Sequence, residues 1–85
     1  MAESLEDRVR ALVVDRLFLD VDASTIEEDE NLMDRFGIDS VRLFEIVVGL
    51  EEVFDVSFAD DEFAPEKFAT VCAIAAVVRG KKPDA

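Results

Sequence analysis

Apolar residues recur every three or four positions in three stretches of this chain, the spacing that gives a helix one buried face. Leu5, Val9, Leu12, Val13 and Leu17 set that rhythm first, with Glu6, Arg8, Arg10 and Arg16 on the other faces, so residues 4–18 are predicted to be an amphipathic helix. Ser4 stands three residues before Asp7 and is placed to cap it. From Ser40 to Phe54 the rhythm returns, and Leu43, Ile46, Val47, Leu50, Val53 and Phe54 form a broad apolar face. Gly49 weakens this helix by about 1 kcal/mol relative to alanine and permits a close approach. Val71, Ile74, Ala75 and Val78 share a face of a last helix, 71–79, with Thr70 as its cap and Gly80 as its stop.

Between these stretches the rhythm fails. Residues 19–37 are acidic and rich in turn formers, with Ile26, Leu32, Met33 and Phe36 as the expected anchors onto the core. Residues 57–68 read as a loop with one short helical turn, Pro65 standing where a first turn tolerates it, and Phe58, Phe63 and Phe68 as plugs. No stretch alternates as a strand does. The expected fold is all-α: a four-helix bundle of three main helices and one short one, with a long first loop. It is expected to form a single domain over residues 1–80, with 81–85 as a tail.

Composition narrows the class. A 51% apolar content with seven phenylalanines supplies a core and argues against disorder. Charge is lopsided, since residues 20–66 carry 16 acidic side chains against Arg35 and Arg42, a net of −14, while the whole chain stands at −12. Such a surface repels nucleic acid and anionic membranes and suits a partner with a basic face. No apolar run approaches the roughly 20 residues of a membrane-spanning helix. The start MAESLEDRVR lacks the pattern of a signal peptide, and the single Cys72 cannot form an internal disulfide, so a cytoplasmic protein is expected. Cys72 itself is expected to be a small core residue.

Candidate chemistry concentrates in RFGIDSVRLF, residues 35–44. Ser40 as a catalytic nucleophile needs a base, and the chain has no histidine and no G-x-S-x-G elbow. Self-contained serine catalysis is therefore not expected, and no enzyme is expected. The acidic run DVDASTIEEDEN imitates a calcium loop at Asp20, Asp22 and Ser24, but Thr25 replaces the turn glycine and Asn31 the bidentate glutamate. A dedicated metal site is not expected. In purely local terms GIDS is a helix start, with Gly37 closing the preceding loop and Asp39 or Ser40 as the cap.

The stretch FGIDSVRLFEIVVGLEEVFDV resembles the acyl carrier protein family, whose signature is a Gly-x-Asp-Ser-(Leu/Val) step opening a helix that ends in Glu-Glu-x-Phe. Acidity, length and the Thr-Val start of the last helix extend the likeness over nearly the whole chain. The resemblance implies that Ser40, preceded by the signature acid Asp39, carries 4′-phosphopantetheine transferred from coenzyme A by a phosphopantetheinyl transferase. It implies further that Val41 and Val48 are apolar partner contacts beside the arm. Glu45, Glu51 and Glu52 are implied to dock against basic patches of acyl-processing enzymes. The function implied is a monomeric carrier of acyl thioesters in fatty-acid or polyketide biosynthesis. An aminoacyl or peptidyl carrier, which more often shows Gly-Gly-(His/Asp)-Ser and less acidity, is the alternative within the class. An acidic helical interaction module without a prosthetic group is the alternative outside it. Two features depart from the family. Arg42 interrupts the acidic stripe, its guanidinium being expected on the phosphate, on Glu45 or Asp39, or in water, and DEFAPEKFAT is slightly long.

Overall fold

The computed structural model describes residues 4–83, so residues 1–3 and the last two of the expected tail, Asp84 and Ala85, lie outside it. Among the described residues there are four α-helices and no strand: α1 (Leu5–Arg16), α2 (Leu32–Phe36), α3 (Ser40–Phe54) and α4 (Val71–Lys81). The three long ones occupy the stretches where apolar periodicity was strongest. Short 3₁₀ turns at Ala23–Thr25, Asp60–Glu62 and Pro65–Lys67 punctuate the connections.

Each helix start is fixed by a side chain that accepts from an amide lacking an intrahelical acceptor. Ser4 Oγ accepts from Asp7 N at 3.1 Å, Asn31 Oδ1 from Asp34 N at 3.0 Å, Asp39 Oδ1 from Arg42 N at 2.9 Å and Thr70 Oγ1 from Ala73 N at 3.0 Å. The helix ends are equally local. Gly37 closes α2 in the left-handed region at φ 64°. At the end of α1 the Phe18 N–H bonds Asp15 O (3.4 Å) and the Leu19 N–H bonds Val14 O (3.0 Å). This is the Schellman pattern, and its left-handed position is held by Phe18 at φ 53° where glycine would be strain-free.

One core unites the bundle. Val9, Val13, Leu32, Leu43, Ile46, Leu50, Phe68, Val71, Ile74, Ala75 and Val78 are wholly or almost wholly excluded from solvent. The long first connection is held down by more than its apolar anchors. Ile26 is buried while its carbonyl accepts from Arg10 Nε at 2.7 Å, and Arg35 of α2 donates to Thr25 O at 2.9 Å. Leu32 N donates to Ala69 O at 2.7 Å and Cys72 N to Glu28 O at 2.8 Å, which ties this connection to the start of α4. Gly49 lies in the α1–α3 contact, where an added Cβ would stand 3.0 Å from Arg16 Cγ and 3.2 Å from Leu12 Cδ2.

Five expectations change. The short α-helix lies inside the first connection, as α2, and the 57–68 segment carries two 3₁₀ turns instead. Val53 is 48% exposed, because α3 buries Leu50 and Phe54 and turns position 53 to the rim of its apolar arc. Cys72 is exposed, since the α4 stripe of Val71, Ile74, Ala75 and Val78 leaves position 72 to one side. Helix α4 runs through Gly80 to Lys81, whose successor Lys82 precedes Pro83 and leaves the helical region (φ −142°, ψ 79°). The Arg42 guanidinium pairs with neither Glu45 nor Asp39. Its Nη2 donates to Leu17 O at 2.7 Å, where a cation meets the unpaired carbonyls and negative dipole end of α1.

Candidate functional site

The first turn of α3 is built by the sequence step Gly37-Ile38-Asp39-Ser40. Gly37 reverses the chain after α2, Ile38 is buried as an anchor, and Asp39 turns its carboxylate onto the Arg42 amide. That leaves Ser40 as the first helical residue, with its side chain exposed, and settles the cap on Asp39. The amides of Ser40 and Val41 have no intrahelical acceptor at this position, and the helix dipole adds positive potential in front of them. Arg42 contributes from behind by fastening this turn to the end of α1.

Val41, Glu45, Val48 and Glu52 follow at spacings of four, three and four, so they form one stripe along α3 starting beside Ser40. Val41 is 72% exposed, Glu45 is exposed and Val48 is half-buried. Beside the stripe, Glu45 and Val48 share an open groove of about 430 Å³ with Asp15, Arg16 and Phe18 of α1 and its end.

The three α3 carboxylates differ in their engagements. Among the described residues Glu45 forms no ion pair. Glu52 pairs with Arg16 at 3.1 Å while remaining largely in solvent. Glu51 faces the other way and accepts the Phe58 N–H through Oε2 at 2.9 Å, pinning the 56–64 loop. That loop packs Phe58 edge-on to Phe68, with centroids 5.9 Å apart, and Phe63 edge-on to Phe44, at 5.7 Å. Lys81 Nζ closes the same loop from α4, at 2.6 Å from Glu62 Oε2 and over the Phe58 ring. Phe18, Phe44 and the Arg42–Leu17 bond escaped the sequence reading. The fitting of Phe18 to a left-handed position had a weak signal, since the chain continues past α1 without a glycine.

Among the described residues no cluster of three or more histidine, cysteine or carboxylate side chains converges as a metal site would, and Asp22 spends its carboxylate on Ser24. Those Ser24 hydrogen bonds hold the Asp22 carboxyl below its ordinary range. No helix is long and apolar enough to cross a membrane among the described residues.

Comparison with known protein families matches residues 7–78 to the one described as the phosphopantetheine attachment site. The match covers most of the chain, from within α1 to within α4. Its members are non-catalytic carriers that bind 4′-phosphopantetheine covalently, and they interact with phosphopantetheinyl transferases and acyl-processing enzymes. By that match, and with four α-helices among its described residues, this chain belongs to the phosphopantetheine-binding carrier family.

Proposed function

We propose that Ser40 is the attachment residue and that the chain carries acyl intermediates as thioesters for fatty-acid- or polyketide-type biosynthesis. The observation that carries this reading is the exposed Ser40 hydroxyl on the first turn of a 15-residue helix whose cap is supplied by a different residue. Asp39 spends its carboxylate on the Arg42 amide, so Ser40 has no local capping role to perform. A phosphodiester on Ser40 lies in front of free backbone amides and the positive end of the α3 dipole, which favours an anion there.

The chain contributes no base. The transferase draws the hydroxyl proton to its own base, the Ser40 oxygen forms the new bond to phosphorus, and the nucleotide half of coenzyme A leaves. The bound group then supplies a terminal thiol for the acyl cargo. Val41, Glu45 and Val48 form the centre of the docking stripe, with Glu52 at its far end, and net charge −12 favours partners with basic faces. Glu51 acts mainly inside the fold, through Phe58. The step reads Gly-Ile-Asp-Ser and the chain is strongly acidic, which favours an acyl carrier over an aminoacyl or peptidyl one. A single cytoplasmic carrier domain acting as a monomer completes the proposal.

Intact-mass measurement after incubation with coenzyme A and a phosphopantetheinyl transferase tests it. A gain of about 340 Da is expected on the wild type and none on Ser40→Ala, because the hydroxyl is the nucleophile. A wild type left unmodified by several transferases, or a Ser40→Ala variant that still gains the mass, overturns the assignment.

A further inference from the structure

Phe18 is the most exposed large apolar side chain among the described residues, at 90%. It occupies the left-handed position of the α1 Schellman motif, where a side chain carries strain that glycine would relieve. A strained backbone site holding a ring that buries almost nothing contributes little to the fold. Leu17 and Leu19 on either side supply the apolar contacts of this turn, since Leu17 is buried and Leu19 packs against the core.

Its surroundings point outward, to a partner. Phe18 shares its groove with Val48, Arg16 and the carboxylates of Asp15 and Glu45, and exposed Asp20 follows two residues on. The Arg42 bond to Leu17 O fixes the residue preceding Phe18 against the first turn of α3, two residues beyond Ser40. The ring is therefore held at the serine end of the molecule, beside the stripe of Val41, Glu45 and Val48. An exposed aromatic ring beside the Asp15 and Glu45 carboxylates, with the neighbouring guanidinium of Arg16 already paired to Glu52, matches an apolar pocket rimmed by lysine or arginine. A second copy of this chain is a poor occupant, because each copy carries a net charge of −12.

We propose that Phe18 is an anchor residue for the phosphopantetheinyl transferase that modifies Ser40, inserting into a basic-rimmed apolar pocket on that enzyme. The choice of enzyme follows from position. An enzyme acting on the Ser40 hydroxyl must bring its own active site to the first turn of α3, whereas one acting on the thiol end of a flexible arm need not. The inference rests on Ser40 as the attachment residue and adds a contact on a different element.

Steady-state modification of the full chain by the transferase of its own host, with coenzyme A, tests the proposal. Phe18→Gly is expected to lower kcat/KM roughly tenfold, mainly through KM, as loss of an aromatic anchor does. The same variant should melt no lower than wild type, because glycine suits the left-handed turn. Phe18→Leu keeps apolar volume and is expected to fall between them. Wild-type kcat/KM in Phe18→Gly and Phe18→Leu overturns the proposal while leaving the carrier reading intact. A wild type that takes up no mass from that transferase overturns both. A wild-type dimer in sedimentation that Phe18→Gly dissolves also overturns it, by assigning the ring to a second copy.

Discussion

Replacing Glu51 separates a carboxylate that builds the fold from one that serves the surface. Its Oε2 accepts the Phe58 amide at 2.9 Å, and Phe58 in turn packs edge-on against the fully buried Phe68. A hydrogen bond to a charged group contributes about 1.5–3 kcal/mol, and the half-buried setting argues for the lower end. Glu51→Ala also strands the Phe58 amide, so a loss of about 1.5 kcal/mol is expected. In a domain of this size each kcal/mol moves Tm by about 4–8 °C, which puts Glu51→Ala about 6–12 °C below wild type. Glu51→Gln keeps an acceptor oxygen without the charge and should lose about half as much. Glu45→Gln is the control, because it removes one negative charge from the same helix and relieves the same general repulsion. It should melt within about 2 °C of wild type. Thermal melts by circular dichroism at neutral pH read all three. Coincident melts of Glu51→Ala and Glu45→Gln would refute the reasoning. Modification kinetics complete the comparison: Glu45→Lys should slow the transferase in a salt-dependent way with Tm unchanged, whereas Glu51→Lys should alter both.

Phe68→Ala removes a fully buried ring lying between Phe58 and Phe63, at a cost of about 3–5 kcal/mol. That approaches the whole stability of a small domain, so loss of a cooperative melt is expected, and a melt within a few degrees of wild type would contradict it. Gly49→Ala gains about 1 kcal/mol of helix propensity. Its Cβ would nevertheless stand 3.0 Å from Arg16 Cγ and 3.2 Å from the buried Leu12. A net loss of about 1 kcal/mol by urea melts is expected, and a stabilised variant would show that α1 yields easily. The Glu6 carboxyl is held below its ordinary 4.5 chiefly by its hydrogen bonds from Arg79, at 2.8 and 3.1 Å across α1 and α4. A folded-state value below the unfolded one stabilises the fold above about 4.5 and loses that contribution as pH falls through the depressed value. Wild type should therefore lose its Tm advantage over Glu6→Gln on acidification from pH ~6 to pH ~3, and parallel profiles would contradict the link.

Local signals carried far in this chain. Ser4 and Thr70 cap the helices they were expected to cap, and the faces of α1 and α4 are buried as their spacing implied. The place of Ser40 at a helix start was legible through its neighbours in sequence, because the step from glycine to cap to helix is confined to residues 37–42. Arg42 was not legible, since its partner Leu17 lies 25 residues away. The internal role of Glu51 stayed hidden for a related reason: Phe58 is seven residues on, beyond the helix whose period was being read.

What the sequence alone determined are the interactions that close within a turn or two of backbone: caps, apolar stripes, the αL glycine at Gly37, and the abundance of charge. These depend on spacing, which a linear chain contains. Tertiary structure decided which rim of each stripe meets solvent, exposing Val53 and Cys72, and which of three similar glutamates is drawn into the fold. It also placed α2 within the first connection and brought Phe18 beside the α3 stripe. Periodicity gives the direction in which a side chain points, whereas burial and partnership depend on what another segment puts there.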